Sequence, residues 1–382
     1  MLRLLRAASR ARRVIKYLGA KTRLRPVLRD MFAASDATTA IDLFTGTTLV
    51  AQAMKRDGMN VTAVDTSRYS ELFGQTYITL DSGDVDRREL ADAIGHLGSL
   101  DGEPGWFTET YCKTARFFHP DNGARIDTIR AAIASDYTGT WLYPVLMTAL
   151  IEAADRVDST LGFHVSYLKQ WAPRALHPLV LRPPSLIAGT GATVRADSTW
   201  PAQFGQFDLA YIDPPYNQHR YHSYYHIWET LVAWDRPETY GVAQKRADNK
   251  DAVSKTDLSS KRTYGAAIRR ALDVDAQVLV ISYNDESWMA LGDLVDVCAD
   301  RPHSAVVGFE TSRHVGAKLG INGPDGTVAG EVGRTENVEY LVVAGPKDTV
   351  ERMTGPYAGI GPIPKARRTT HHVLGRRVDS PG

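Results

Sequence analysis

Residues 38–65 constrain the fold more than any other stretch of the chain. TTAIDLF (38–44) is a short apolar run with an acid near its end, followed by Thr45-Gly46-Thr47-Thr48. A helical pattern comes next, Leu49-Val50-Ala51 with Ala53 and Met54, and it stops at Gly58. A second apolar run, Val61 to Val64, is capped by Asp65. Strand, glycine turn, helix, strand and acid, in that order, open a doubly wound nucleotide-binding fold. The turn holds only Gly46 where such loops carry two or three glycines, so this signature alone does not decide the matter.

Further strand-like runs arrive late: ATVRAD (192–197), FDLAYI (207–212), QVLVISY (277–283) and NVEYLVVA (337–344). Between Leu80 and about Leu186 the chain reads as helical, at 124–135 and 144–157, with a proline-rich exit at Arg182-Pro183-Pro184. A structureless loop of that length is improbable, so the stretch is expected to be an insertion between the second and third strands of a parallel sheet. The expected division is 1–80 and 187–345 for the split sheet domain, 81–186 for the insertion, and 346–382 for a basic tail.

Composition excludes several classes. Hydrophobic residues are 43% and charged residues 23%, ordinary globular usage, which rules out wholesale disorder. No apolar run approaches the roughly 18–20 residues of a membrane span, so no membrane association is expected. Cys112 and Cys298 are too few for a disulfide framework or a cysteine-rich zinc site, which suits a reducing cytoplasm. Net charge is +1, but residues 1–29 carry ten basic side chains and no acidic one, and the tail from Lys365 carries five against Asp379. Such ends suit phosphate contact or a solvated terminus.

The strongest chemical signal is Ile212-Asp213-Pro214-Pro215-Tyr216. An apolar strand delivers Asp213 at its carboxyl end, where open α/β sheets bind ligands. Pro214 and Pro215 stiffen the turn and leave carbonyl acceptors without competing donors. Tyr216 adds a flat aromatic face. A carboxylate, fixed carbonyls and an aromatic plate suit a planar amine; the plainer reading is a proline turn with a capping Asp.

Taken in order, these blocks resemble the Dam-like class of DNA adenine methyltransferases. The class has an N-terminal Tyr/Trp-x-Gly-x-Lys element, a glycine turn, a target-recognition insertion and then Asp-Pro-Pro-Tyr. Here those are Tyr17-Leu-Gly19-Ala-Lys21, Asp42-Leu-Phe44-Thr-Gly46-Thr, the insertion, and 213–216. Arg220-Tyr221, Tyr225-His226, Glu229-Thr230 and Ser282-Tyr283-Asn284 continue the match. The start of the chain is arginine- and alanine-rich, like a mitochondrial transit peptide. A motif that begins at Tyr17 instead favours an attached basic arm facing DNA.

The resemblance implies a Rossmann-like methyltransferase sheet carrying a mainly helical target-recognition domain, with S-adenosyl-L-methionine as cofactor. It implies cofactor contacts from Tyr17, Lys21, Asp42, Phe44 and Gly46, ribose contact from Asp65, and Asp197 near the cofactor's adenine. Asp213 would lie near the cofactor's amino end and also act on the target amine. For Asp65 and Asp197 the competing reading is a strand-end turn residue. The class usually has glycine where Thr48 stands, and a β-carbon there would crowd the cofactor. Duplex DNA is the implied partner, a cognate restriction endonuclease an optional further one, and a monomer or weak dimer in a bacterial or phage-type cytoplasm the expected form.

An aromatic amine is a poor nucleophile until it rotates towards tetrahedral geometry. Acceptors on its two protons, the Asp213 carboxylate and the Pro214 carbonyl, favour that change and disperse the developing charge. The base must leave the duplex, and Tyr216 is expected to stack on it with a dispensable hydroxyl. Ring-carbon methylation of cytosine needs a cysteine after proline, but Cys112 follows Tyr111 and Cys298 follows Val297.

Arg220 and Tyr221, with Tyr224, Tyr225 and the histidines at 219, 222 and 226, are expected to rim the target pocket. A metal at those histidines lacks a completing ligand. Tyr225, Trp228 and Leu231 also fit the buried face of a helix, and Phe117 and Phe118 fit a core. The polar segment 236–262, with Lys245-Arg246, reads as a mobile loop touching phosphates. The alternatives are the amine of cytosine or RNA as target, and a DNA-binding protein on a decayed scaffold.

Overall fold

The structure is a computed structural model that describes residues 14–216, 221–250, 256–312, 336–357 and 373–377. Its centre is a sheet of eight strands: β1 (Thr39–Leu43), β2 (Asn60–Asp65), β3 (Gly191–Arg195), β4 (Phe207–Ile212), β7 (Ala276–Asn284), β8 (His303–Ser312), β9 (Glu336–Gly345) and β10 (Val373–Arg377). β5 (Thr239–Tyr240) and β6 (Lys245–Arg246) form a separate hairpin. The order across the large sheet is β10-β8-β9-β7-β4-β1-β2-β3.

β1 pairs in parallel with both β2 and β4, so the chain winds outward through β2 and β3 and then returns to the other side of β1. The reversal leaves a crevice beyond the carboxyl ends of β1 and β4, where such sheets bind ligands. The sheet is mixed rather than parallel throughout, because β9 runs antiparallel between β7 and β8. Sequence reading passed over β8 and also β10, which lies within the stretch expected to be a basic tail.

Strands buried on both faces read as near-continuous apolar runs. In β4, Leu209 and Tyr211 face one core cluster and Ala210 and Ile212 the other. The first cluster also takes in Phe107, Tyr111, Ile129 and Leu150 from the helices between β2 and β3, and Phe117 and Phe118 from the bend that joins two of them. Those helices, chiefly Arg87–Ser99, Pro120–Tyr137 and Leu142–Arg156, therefore share a core with one face of the sheet. Arg130, from the second of them, donates to the carbonyls of Leu231 (2.8 Å) and Val232 (3.1 Å). It thereby satisfies the last turn of helix His226–Ala233, which follows the Asp-Pro-Pro-Tyr turn. Among the described residues no helix is long and apolar enough to cross a membrane.

Two histidines sit inside this core rather than on a rim. His226 is fully buried, its Nε2 lies 2.9 Å from the carbonyl of His164, and His164 packs 4.6 Å from the Trp228 ring. Burial pushes both imidazoles down to about 3 from the usual 6.5. The unfolded chain then binds protons that the fold refuses, so these rings make stability fall as pH drops below about 6.5. Between pH 7.5 and 5, His226→Gln should lose less stability in urea melts than the parent, by about 2 kcal/mol. Equal losses would show that His226 takes up no proton on unfolding in that window.

Candidate active site

The turn after β1 is built on left-handed backbone: Phe44, Gly46 and Thr48 have φ of 66°, 52° and 60°. Asp42 holds it in shape. Its carboxylate accepts from Thr45 Oγ1 (2.8 Å) and from the amide of Ala51 (3.1 Å), joining the turn to the start of helix Leu49–Arg56. Burial, with Asp213 nearby, pushes the Asp42 carboxyl up to about 8, although the Thr45 bond works the other way. Gly46 is demanded twice, by its φ and by the Tyr17 ring lying over it. A β-carbon at Gly46 would stand 3.0 Å from that ring. Tyr17 is in turn stacked on Tyr225 at 4.5 Å, and Tyr221 lies 5.5 Å away.

β2 ends at Asp65, whose two oxygens accept from the amides of Gly46 (3.0 Å) and Ser67 (2.9 Å). Each oxygen keeps a further lone pair for a ligand. Asp197 lies just beyond β3 and accepts from the Thr199 amide and hydroxyl at 2.9 and 2.8 Å. It is a turn residue that also forms part of the cleft wall.

β4 delivers Asp213 to the same cleft. Its Oδ1 lies 3.0 Å from Lys21 Nζ and also accepts from the Tyr216 hydroxyl. Lys21 donates to the Tyr216 oxygen (2.9 Å) and the Gly19 carbonyl (3.0 Å), and Ser282 Oγ of β7 lies 3.2 Å from the Tyr216 hydroxyl. Burial works against the Lys21 ammonium, but Asp213 and then Glu339 outweigh it and raise its pKa. Burial, with Asp213 next, raises the Tyr216 phenol well above its ordinary value, so it stays a donor. Among the described residues Asp213 Oδ2 has no such pinning bond.

One cleft joins these pieces; Tyr17, Lys21, Asp42, Phe44, Gly46, Asp65, Asp197, Asp213, Pro215 and Tyr216 line it.

Several expectations need correction. Tyr216 was expected to offer only a ring; its hydroxyl is held in the carboxylate cluster. Tyr221 does not stand on an outer rim but packs against Tyr17 and lines the cleft. Arg246 is no phosphate ligand. Its guanidinium is 4% exposed and fixed between Asp235 and Asp248, at 2.6 Å from each. Lys245 is half-buried on β6, in a hairpin rather than a loop, and Arg220 and His219 lie outside the described residues. Thr48 is wholly buried and accepts from Gln52 Nε2 at 2.9 Å, so the departure from glycine bears on the left-handed backbone rather than on space for a cofactor. Among the described residues no group of three or more His, Cys, Asp or Glu is arranged to hold a metal.

Sequence reading missed Glu339, half-buried at the start of β9 and close enough to Lys21 to act on its charge. The available signal was an acid inside an otherwise apolar strand.

An acid ending the second strand and a second acid ending the fourth, on one cleft at the switch point, define a doubly wound α/β enzyme that joins a nucleotide-type cofactor to a second substrate. The D12 class N6 adenine-specific DNA methyltransferase model matches residues 17–297, and the chain belongs to that family. It is 28% identical over 267 residues to the Type II methyltransferase M.NlaIII of Neisseria lactamica, covering 67% of this chain and 78% of that protein. Against the Type II methyltransferase M.CviAII of Paramecium bursaria Chlorella virus 1 it is 26% identical, over 74% of this chain and 86% of that one. Against M.FokI of Planomicrobium okeanokoites it is 26% identical, over 72% of this chain but only 45% of the longer relative.

Proposed function

We propose that this enzyme methylates the exocyclic amine of an adenine flipped out of duplex DNA, at a defined sequence, with S-adenosyl-L-methionine as donor. We further propose that it acts as the modification half of a restriction-modification pair, as the names of its relatives suggest. The observation that carries the reading is the single cleft shared by the β1 turn, Asp65 and the Asp213 turn.

The cleft suits the cofactor. Asp65 has spare lone pairs for a ribose diol, Phe44 and Tyr17 offer apolar faces, and the buried Tyr211 hydroxyl on its wall has no partner among the described residues. When bound, the cofactor supplies an electrophilic methyl group on a sulfonium. Asp65 would take the ribose, Asp197 the adenine end, and Phe44 and Gly46 the methionine end, with Tyr17 also in contact. Lys21 and Tyr216 hold Asp213 by Oδ1, which leaves Oδ2 to accept one proton of the target amine. The Pro214 carbonyl accepts from the other. Fixing both acceptors before the base arrives lowers the barrier, because nothing must reorganise as charge develops. In this reading segment 81–186 presents the surface that selects the DNA sequence, and Lys245 meets phosphate.

Two measurements test this. DNA from cells expressing the protein should carry N6-methyladenine within one short sequence motif; unmodified adenine throughout would reject the reading. In calorimetry, Asp65→Ala should weaken S-adenosyl-L-methionine binding by about 1–3 kcal/mol, the scale of charge-assisted hydrogen bonds. Unchanged affinity in a folded variant removes Asp65 from the site.

A further inference from the structure

We propose that the β5–β6 hairpin is a wedge that enters the duplex beside the flipped adenine, with Val242 filling the gap left in the base stack. The proposal rests on the base-flipping reading above. Val242 stands at the hairpin tip and is 76% exposed, the highest value among the exposed large apolar side chains of the described residues. A single exposed valine is unremarkable by itself. What sets this one apart is how firmly it is held and where.

The tip is Gly241-Val242-Ala243-Gln244, with left-handed backbone at Gly241 (φ 69°) and Gln244 (φ 46°). Gln244 donates from its amide nitrogens, main-chain and side-chain, to the Gly241 carbonyl at 3.0 Å, and its side-chain oxygen accepts from Thr239 at 2.7 Å. The one polar side chain at the tip is thus committed within the hairpin. Glycine, valine and alanine offer no side-chain hydrogen bond to base edges, so the tip is suited to fill space rather than to read sequence by hydrogen bonds.

The base of the hairpin is anchored by the Arg246 guanidinium between Asp235 and Asp248, and by the Ala247 amide donating to the Glu238 carbonyl at 2.8 Å. Asn249, three residues past β6, lines the catalytic cleft, and the seven residues from Val242 to Asn249 span at most about 23 Å even when extended, which bounds the distance from the tip to the cleft wall. Two cations flank the hairpin. Lys245 is half-buried on β6, and Lys250 lies 3.6 Å over the Tyr240 ring. Apolar wedges flanked by cations are how proteins that unstack duplex DNA hold the distortion, and a flipped base leaves a gap to fill.

The test uses the full-length enzyme, its mapped target duplex, and the same duplex with an abasic site opposite the target adenine. The abasic partner removes most of the cost of extrusion. Val242→Gly is expected to slow single-turnover methyl transfer about tenfold on the matched duplex and to come within about threefold of wild type on the abasic one. Cofactor affinity should be unchanged, and Val242→Ile should behave as wild type on both. Equal rates for Val242→Gly and wild type on the matched duplex, or an equal loss on both duplexes, would overturn the wedge. Absence of methyl transfer by wild type on either duplex would overturn the catalytic reading and this proposal with it.

Discussion

Asp213→Asn is expected to lower the single-turnover rate of methyl transfer by roughly two orders of magnitude or more, the scale of removing one preorganised electrostatic group. In the proposed mechanism the carboxylate meets the positive charge that grows on the amine, and its Oδ1 is already held by Lys21 at 3.0 Å and by Tyr216. Asparagine keeps the shape and one acceptor for the Lys21 ammonium, so the cluster stays assembled. Asp213→Ala is a poorer probe. It leaves the Lys21 side chain, 3% exposed, without its partner carboxylate. Breaking such a pair costs about 3 kcal/mol, the low end of the range for buried pairs because the Asp213 side chain keeps 20% exposure. Rapid-quench kinetics with labelled cofactor, beside anisotropy on a target duplex, separates chemistry from binding. Asp213→Asn should bind DNA as wild type does, and a rate above about a tenth of wild type would remove the carboxylate from the reacting centre.

The parts legible in the sequence are those fixed by short-range patterns. Apolar runs marked β1, β2, β4 and β7 to within a residue or two, because strands buried on both faces leave a dense hydrophobic signature. Gly46 announced a turn, and the structure shows that the Tyr17 ring and a φ of 52° both require it. What the sequence hid depended on approach through space. Lys21 and Tyr216 are 195 residues apart, and nothing in either local pattern says that they share a carboxylate oxygen. Arg246 sits in a polar, lysine-rich stretch that resembles a phosphate-binding loop. Only the fold shows its two aspartates closing on it, one of them from across the hairpin. His226 looked like a rim residue for the same reason. Its neighbours in sequence are mostly polar and aromatic, whereas Phe117 and His164, which enclose it, both come from the insertion.

Tyr216 is where the sequence and the structure give opposite expectations for one substitution. A stacking role alone predicts that Tyr216→Phe keeps most activity. The structure predicts a loss, because the hydroxyl and Lys21 together pin Oδ1 of Asp213 and so aim Oδ2 at the amine. A hydrogen bond to a charged group contributes about 1.5–3 kcal/mol, so Tyr216→Phe should slow single-turnover transfer about tenfold or more. Lys21→Met should cost more, about a hundredfold, since it removes the counter-charge as well as a donor. Because the two side chains act through one oxygen, the double variant should be less impaired than the product of the single losses. A stacking role would leave the two effects independent and would show in a fluorescent base analogue at the target, whose unstacked signal should persist in Tyr216→Phe. Full activity in Tyr216→Phe would return the residue to the stacking role and leave Lys21 alone to orient the carboxylate.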